Sequence, residues 1–255
     1  MNKLNLIIII SSLFLSTCGT NTYISQKPTK EIKIDGNIDD WRGDLKYIEN
    51  ESSSFGVKND NDNLYICFTT SDRSKIRQII NLGFIVWLKP INAKTLGVKY
   101  PINSINIKNF NFRTRNPRII ENDKTIKSFI KKNTEFLIIN DDNFPLYGSQ
   151  IGANSGYRIS LGYQNRQFIY EMSVPFIHFL DQYIPIIEIP EKKLVISFET
   201  GDIDISLNSN KRFFPDNSRI GDGSDAFGGR RPLRGPNLMS GIDDKLDISI
   251  TVELQ

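Results

Sequence analysis

The segment Lys245–Gln255, "KLDISITVELQ", sets Leu246, Ile248, Ile250, Val252 and Leu254 against Asp247, Ser249, Thr251 and Glu253 in strict alternation. A period of two sends successive side chains to opposite sides of a strand, whereas helical geometry would scatter the same apolar residues around the axis. One face is therefore buried and the other wet, which places the segment in a sheet covered on one side. Strand-like composition recurs at Glu31–Ile34, Ser54–Lys58, Leu64–Thr70, Phe84–Leu88, Tyr157–Tyr163, Phe168–Val174 and Leu194–Thr200, with Asn, Asp, Gly and Pro clusters between. Many short strands punctuated in this way predict an all-β fold, an antiparallel β-sandwich of immunoglobulin-like or jelly-roll-like type with a few short helices and long loops.

Local signals fill in the connections. "GYQNRQF" places Asn165 and Arg166 at the tip of a hairpin. Short helices are expected in "SDRSKIRQII", with Asp72 as N-cap, in "ENDKTIKSFIKK", starting at Asn122 or Asp123, and in "VPFIHFLDQ", with Pro175 in the first turn. Ile91–Phe136 is basic and Asn-rich and reads as an excursion between strands. "DNSRIGDGSDAFGGRRPLRGP" reads as a mobile loop before the final strand.

The N-terminus speaks to location. Lys3 precedes an apolar run from Leu4 to Leu15, long enough for the core of an export signal but short of the roughly 20 residues of a membrane span. "LSTC" resembles the lipobox of bacterial lipoproteins, with Thr17 departing from the small residue usual before the cysteine. On this reading residues 1–17 are a signal peptide, Cys18 carries lipid, residues 18–30 form a tether and residues 31–255 form one domain. An ordinary cleaved signal and an uncleaved anchor are the alternatives. The resemblance implies a membrane-anchored protein of the cell envelope, and Gly19 is compatible with an outer membrane. Loss of Lys3 leaves 31 of the 32 basic residues facing 29 acidic ones, a balance that argues against a nucleic-acid or polybasic membrane partner. With Cys18 lipidated, Cys67 has no partner for an intramolecular disulfide, and the core must supply stability.

In "IKIDGNIDDW" the Asp35–Gly36 pair suits a tight turn, with Gly36 free to take positive φ and the Asp35 carboxylate free to accept backbone N–H bonds. Ile38 and Trp41 can then fold back and cover the open end of the sandwich. "DGNIDDW" followed by "NDNDNLYICFTTSD", and then by "GFIVWLKP", "FIYEMSVPF" and "LDISITVEL" in that order, resembles carbohydrate-binding module family 9 and the related DOMON-like sandwiches. The likeness spans about Glu31 to Gln255. It implies the sandwich fold, a structural role for Asp35, Gly36, Asp39 and Trp41, and a glycan as the leading ligand class. Family members that grip a sugar end stack it between two aromatic rings. The only tryptophans here are Trp41 and Trp87, both in segments that read as core, so the clamp does not transfer. Tyr147, Tyr157 and Tyr163, with Trp87, are the candidate ligand contacts, and Tyr170 is a further aromatic platform.

Metal and catalytic chemistry find less support. Asp222 and Asp225, with Asp216 nearby, invite a calcium reading, but the spacing of a full calcium loop is absent and Arg230, Arg231 and Arg234 oppose a cation. No cofactor is required, and the resemblance leaves a structural calcium open. The one histidine, His178, lies among Phe176, Ile177 and Phe179, away from any nucleophile-elbow pattern. Haem ligation would need His178 with a second ligand such as Met172. The expectation is a non-catalytic envelope protein that binds a glycan. The main alternative is a scaffold binding another envelope protein, and a glycoside hydrolase built on two acidic residues is a third reading.

Overall fold

The computed structural model describes residues 22–49, 51–102, 123–176, 184–201 and 245–255. In chain order the strands are β1 (Thr22–Ile24), β2 (Lys46–Ile48), β3 (Ser53–Asn59), β4 (Asn63–Thr70), β5 (Phe84–Pro90), β6 (Leu96–Lys99), β7 (Glu135–Ile139), β8 (Pro145–Gln150), β9 (Arg158–Gln164), β10 (Gln167–Pro175), β11 (Lys193–Thr200) and β12 (Asp247–Glu253). Helix α1 (Arg73–Leu82) joins β4 to β5, and α2 (Asp123–Lys132) precedes β7. The strands form a seven-stranded sheet, β1-β12-β11-β5-β6-β7-β8, and a five-stranded sheet, β2-β3-β4-β10-β9. The fold is a two-sheet β-sandwich, antiparallel except for the parallel pair β1 and β12.

Alternation decides the layers. Leu64, Ile66 and Phe68 of β4 and Phe168, Tyr170, Met172 and Val174 of β10 face the inner layer, where they meet Phe84, Val86 and Leu88 of β5 and Leu194, Ile196 and Phe198 of β11. Aromatic rings bridge the sheets at one end: Phe68 lies 4.8 Å from Phe198 between centroids, and Phe84 meets Tyr170 edge-on at 5.1 Å. Such pairs add about 0.5–1.5 kcal/mol each to the burial of their area. Helices α1 and α2 send Ile76, Ile79, Ile126 and Phe129 into the same core.

Several expectations need correction. Glu31–Ile34 is not a strand: Ile32 and Ile34 lie as irregular chain against the outer face of the five-stranded sheet, a packing that alternation serves equally well. The segment read as a tether is in the fold from Thr22 onward, since β1 pairs with β12, Ser25 N–H donates to Glu253 O at 2.9 Å, and Gln26 N–H donates to Val57 O at 3.1 Å. Ile91–Phe136 is no simple excursion, because it supplies β6 to the middle of a sheet and α2 to the core. The Asp72 cap is as expected, its carboxylate accepting from Ser74 N–H at 2.7 Å. The helix expected in "VPFIHFLDQ" and the Gly-rich loop lie outside the described residues.

The Asp-Gly-Trp motif covers the outer face of the five-stranded sheet rather than the open end of the sandwich. Trp41, fully buried, packs with Tyr65, Cys67 and Ile169, the side chains that β4 and β10 send outward. Beneath it sits Glu171, also 0 % exposed. Its Oε1 accepts from Trp41 Nε1–H at 2.7 Å, and its Oε2 accepts from the backbone N–H groups of Gly36 at 2.6 Å and Asp35 at 3.1 Å. Gly36 is required here: its φ is +81°, and a Cβ would stand 2.7 Å from Leu161 O. Lys58 closes the other side, with Nζ 5.1 Å from the Trp41 ring centroid, donating to Asp40 O at 3.0 Å and paired with Asp44 at 2.7 Å.

Burial lifts the Glu171 carboxyl to about 7, against the three donors that favour its anion. A carboxyl held above its unfolded value contributes stability that is fully present below pH 4.5 and is lost as pH rises through 7. The difference corresponds to roughly 3 kcal/mol at 1.36 kcal/mol per pH unit. Melting curves from pH 5 to 8 should therefore show wild type losing ground to Glu171→Gln as pH rises; parallel profiles for the two proteins would remove this assignment.

Candidate functional site

The turn between β9 and β10, the start of α1 and the start of α2 enclose a cleft of about 160 Å³. All three lie at the end of the sandwich where β4 and β9 finish and β5 and β10 begin. Helical spacing builds two of its walls. Arg73, Ile76 and Arg77 share one face of α1 at positions i, i+3 and i+4, and Asp123 and Ile126 share a face of α2 at i and i+3. The isoleucines are buried and form an apolar floor, while the charged groups stand above it.

Tyr163 supplies the third wall. It continues the inward row of Ile159 and Leu161 on β9, so its ring packs partly on the core while its hydroxyl end reaches the cleft. Burial raises the Tyr163 phenol above its ordinary value, and the Asp123 charge, with a side-chain hydrogen bond between the two, raises it further; Arg73 and Arg166 oppose the shift. Asp123 itself lies in the first turn of α2, where the helix dipole favours an anion. Arg166 enters from the hairpin tip, which turns through Asn165 at φ 50° and Arg166 at φ 63°. Both central residues at positive φ fit a type I′ turn, whose second position is filled by glycine far more readily than by a side chain.

Among the described residues the cleft thus offers an apolar floor, one aromatic edge, three guanidinium groups and one carboxylate. Guanidinium supplies donors only and carboxylate acceptors only, so a polyhydroxylated or anionic ligand finds both complements within one small volume.

Of the aromatic candidates, Tyr163 alone lines this cleft. Tyr157 is 2 % exposed and its hydroxyl donates to Pro185 O at 2.7 Å, so it presents no ring face to a ligand. Tyr170 is fully buried against Phe84. Trp87 lies on the outer face of the seven-stranded sheet, 6 % exposed, with Nε1–H donating to Glu199 Oε2 at 3.0 Å. Its ring fills the space over Gly97, where a Cβ would come within 2.6 Å, so it is a packing residue. Tyr147 is half-buried on β8 opposite Ile138 and packs against the main core. Asp35, Gly36 and Trp41 belong to the Glu171 cluster, while Asp39 is paired with Arg42 at 2.7 Å on the surface. Cys18, His178, Asp222 and Asp225 lie outside the described residues. Among the described residues no group of three or more His, Cys, Asp or Glu could hold a metal ion.

Arg73, Arg77 and Asp123 were not singled out by sequence as site residues, because charges on short amphipathic helices read as solvated faces. Their one legible signal is the i, i+4 arginine pair flanking Ile76. No protein-family model and no curated protein matches the chain. Among solved structures, the chain is similar to a carbohydrate-binding module of family 9 from Caldicellulosiruptor kristjanssonii in complex with glucose. The match has 11 % identity and a TM-score of 0.34, and covers 92 % of this chain and 96 % of the other.

Asp123→Asn removes the charge that holds the Tyr163 proton in place. Tyrosine resonances followed through an alkaline titration should show Tyr163 ionising at lower pH in the variant than in wild type. An unmoved titration would detach Asp123 from the site.

Proposed function

We propose that this protein is a non-catalytic glycan-binding module of an envelope lipoprotein, and that it seats one sugar residue in the cleft beside Tyr163. The observation that carries the reading is the meeting of the half-buried Tyr163 ring with guanidinium donors and a carboxylate acceptor over an apolar floor. A sugar ring has apolar C–H groups that can pack against the Tyr163 ring edge and the isoleucine floor, and hydroxyls that both donate and accept, and the cleft complements each. Its volume of about 160 Å³ is well under the roughly 300 Å³ at which pockets begin to enclose drug-sized ligands, so it suits one terminal residue rather than a buried chain. The motif order that resembles family 9 modules leads to the same ligand class, and the export signal with "LSTC" supports the envelope location and the lipid on Cys18.

A second reading, a scaffold that binds another envelope protein, is favoured by one feature. Among the described residues, strand β8 is one edge of the seven-stranded sheet, and Phe144, just before it, and Leu146, within it, are 66 % and 45 % exposed. An open edge with apolar side chains is a template for an added strand.

A glycan array probed with the full-length protein in detergent should show saturable binding to a defined glycan class, lost in Tyr163→Ala while the protein remains folded. Silence from folded wild type would transfer the reading to the scaffold role. Cys18→Ala should move the protein from the membrane fraction to the soluble one, and continued membrane association would count against lipid anchoring.

A further inference from the structure

We infer that the margin of the sandwich where the N-terminal chain enters is seated on a lipid bilayer, with Ile24 and Tyr47 as its contacts; this rests on the lipid-anchor reading above. One stretch of chain builds the margin. Thr22–Ile24 pair with β12 at the edge of the seven-stranded sheet, and two residues later Gln26 bridges to Lys58 of β3, next to the edge strand β2 of the five-stranded sheet. Tyr23 turns inward between the sheets and meets Phe55 at 5.0 Å between ring centroids. Residues 22–26 thus close the gap between the sheets on this side, and β1 and β2 stand at its two rims.

The two-residue period that buries Tyr23 sends Ile24 outward, where it is 58 % exposed. Tyr47 alternates in the same way with Ile48, which packs on the core, and is 64 % exposed. Apolar side chains on edge strands invite unwanted contacts, and polar ones are the usual remedy. A tyrosine suits a bilayer interface, its ring in the apolar layer and its hydroxyl in water. The other exposed large hydrophobics among the described residues lie elsewhere: Ile91 follows β5, and Phe144 and Leu146 belong to the β8 edge on the opposite margin.

The chain that leads to this strip selects the bilayer as its occupant. Ile24 comes six positions after Cys18, so a lipid on Cys18 keeps it within about 21 Å of the membrane surface. The β8 edge lies across six strand spacings of about 4.8 Å each from β1, roughly 29 Å further along the sheet. The outer face of the seven-stranded sheet is also within reach, but it carries the pairs Lys193–Glu253 at 3.2 Å and Lys89–Glu199 at 3.8 Å, which lipid would strip of water. Seated on the β1–β2 margin, the domain holds β9, and with it the Tyr163 cleft, on the side away from the lipid.

Single cysteines in the full-length protein test the seat. Ile24→Cys and Tyr47→Cys report the proposed contacts, and Phe144→Cys and Gln164→Cys report the opposite margin. All four side chains are exposed, so each variant should melt with wild type. Cys67 is fully buried and takes no thiol label in folded protein, and a lipidated Cys18 has no free thiol. Each variant would carry a thiol-linked fluorophore in vesicles of phosphatidylethanolamine and phosphatidylglycerol, with and without a nitroxide-bearing lipid that quenches only nearby probes. Quenching should be strong for the first pair and weak for the second. Vesicle-bound protein with either member of the first pair unquenched, or either member of the second quenched as strongly, would overturn the seat and leave the anchor standing. Label taken up by folded wild type, or protein that fails to float with the vesicles, would overturn the anchor and the seat together.

Discussion

Ring contacts between the two sheets fix the geometry on which the cleft depends. Phe68 against Phe198 and Phe84 against Tyr170 join β4 and β10 of one sheet to β5 and β11 of the other at the end where α1 is inserted. Phe84 follows directly on the Gly83 that ends α1, at φ +80°, so the seat of this one ring sets both the start of β5 and the exit of the helix. Aromatic side chains combine a large buried area with few rotatable bonds, so a helix that ends on such a ring is held firmly. The Arg73 and Arg77 face of α1 inherits its position from that packing.

On the opposite side of the five-stranded sheet, a buried carboxylate does comparable work by polar means. Glu171 collects an indole N–H and two backbone N–H groups from a segment more than 100 residues away in sequence. A buried acceptor with three donors converts an otherwise irregular stretch into a fixed cover. Gly36 and Gly162 face each other where this cover meets β9, with no room for a Cβ on either. The N-terminal motif is thereby fastened to the same strand that carries Tyr163 to the cleft. Covering layer and candidate site share one scaffold element.

Strands whose side chains alternate over seven or more residues, such as Leu64–Thr70 and Lys245–Gln255, were legible in sequence because both faces leave a signature. β1, β2 and β6, of three or four residues each, are too short to display a period, and their place is set by partners distant in sequence. Glu171 was illegible for a related reason: in "FIYEMSVPF" its outward register predicts a solvent-facing side chain, and only the return of Trp41 over that face buries it. The Asp72 cap and the Asn165–Arg166 tip, by contrast, are local and were readable. The cleft combines both cases. Tyr163 was visible as an aromatic, while the arginines become a site only when three separate elements converge.

The parallel pairing of β1 with β12 has a mechanical meaning. Gln255 N–H donates to Ser25 Oγ at 3.1 Å, and Asn59 Nδ2–H donates to Gln255 O at 3.0 Å, so the beginning and end of the fold are clasped at one sheet margin. Thr22 comes only four positions after Cys18 in sequence, a reach of at most about 14 Å when fully extended. A lipid on Cys18 would therefore act through a short leash, pressing that margin toward the bilayer and limiting the angles the domain can sweep. On the glycan-binding reading proposed above, such a leash would restrict its ligands to whatever lies within a domain's length of the membrane.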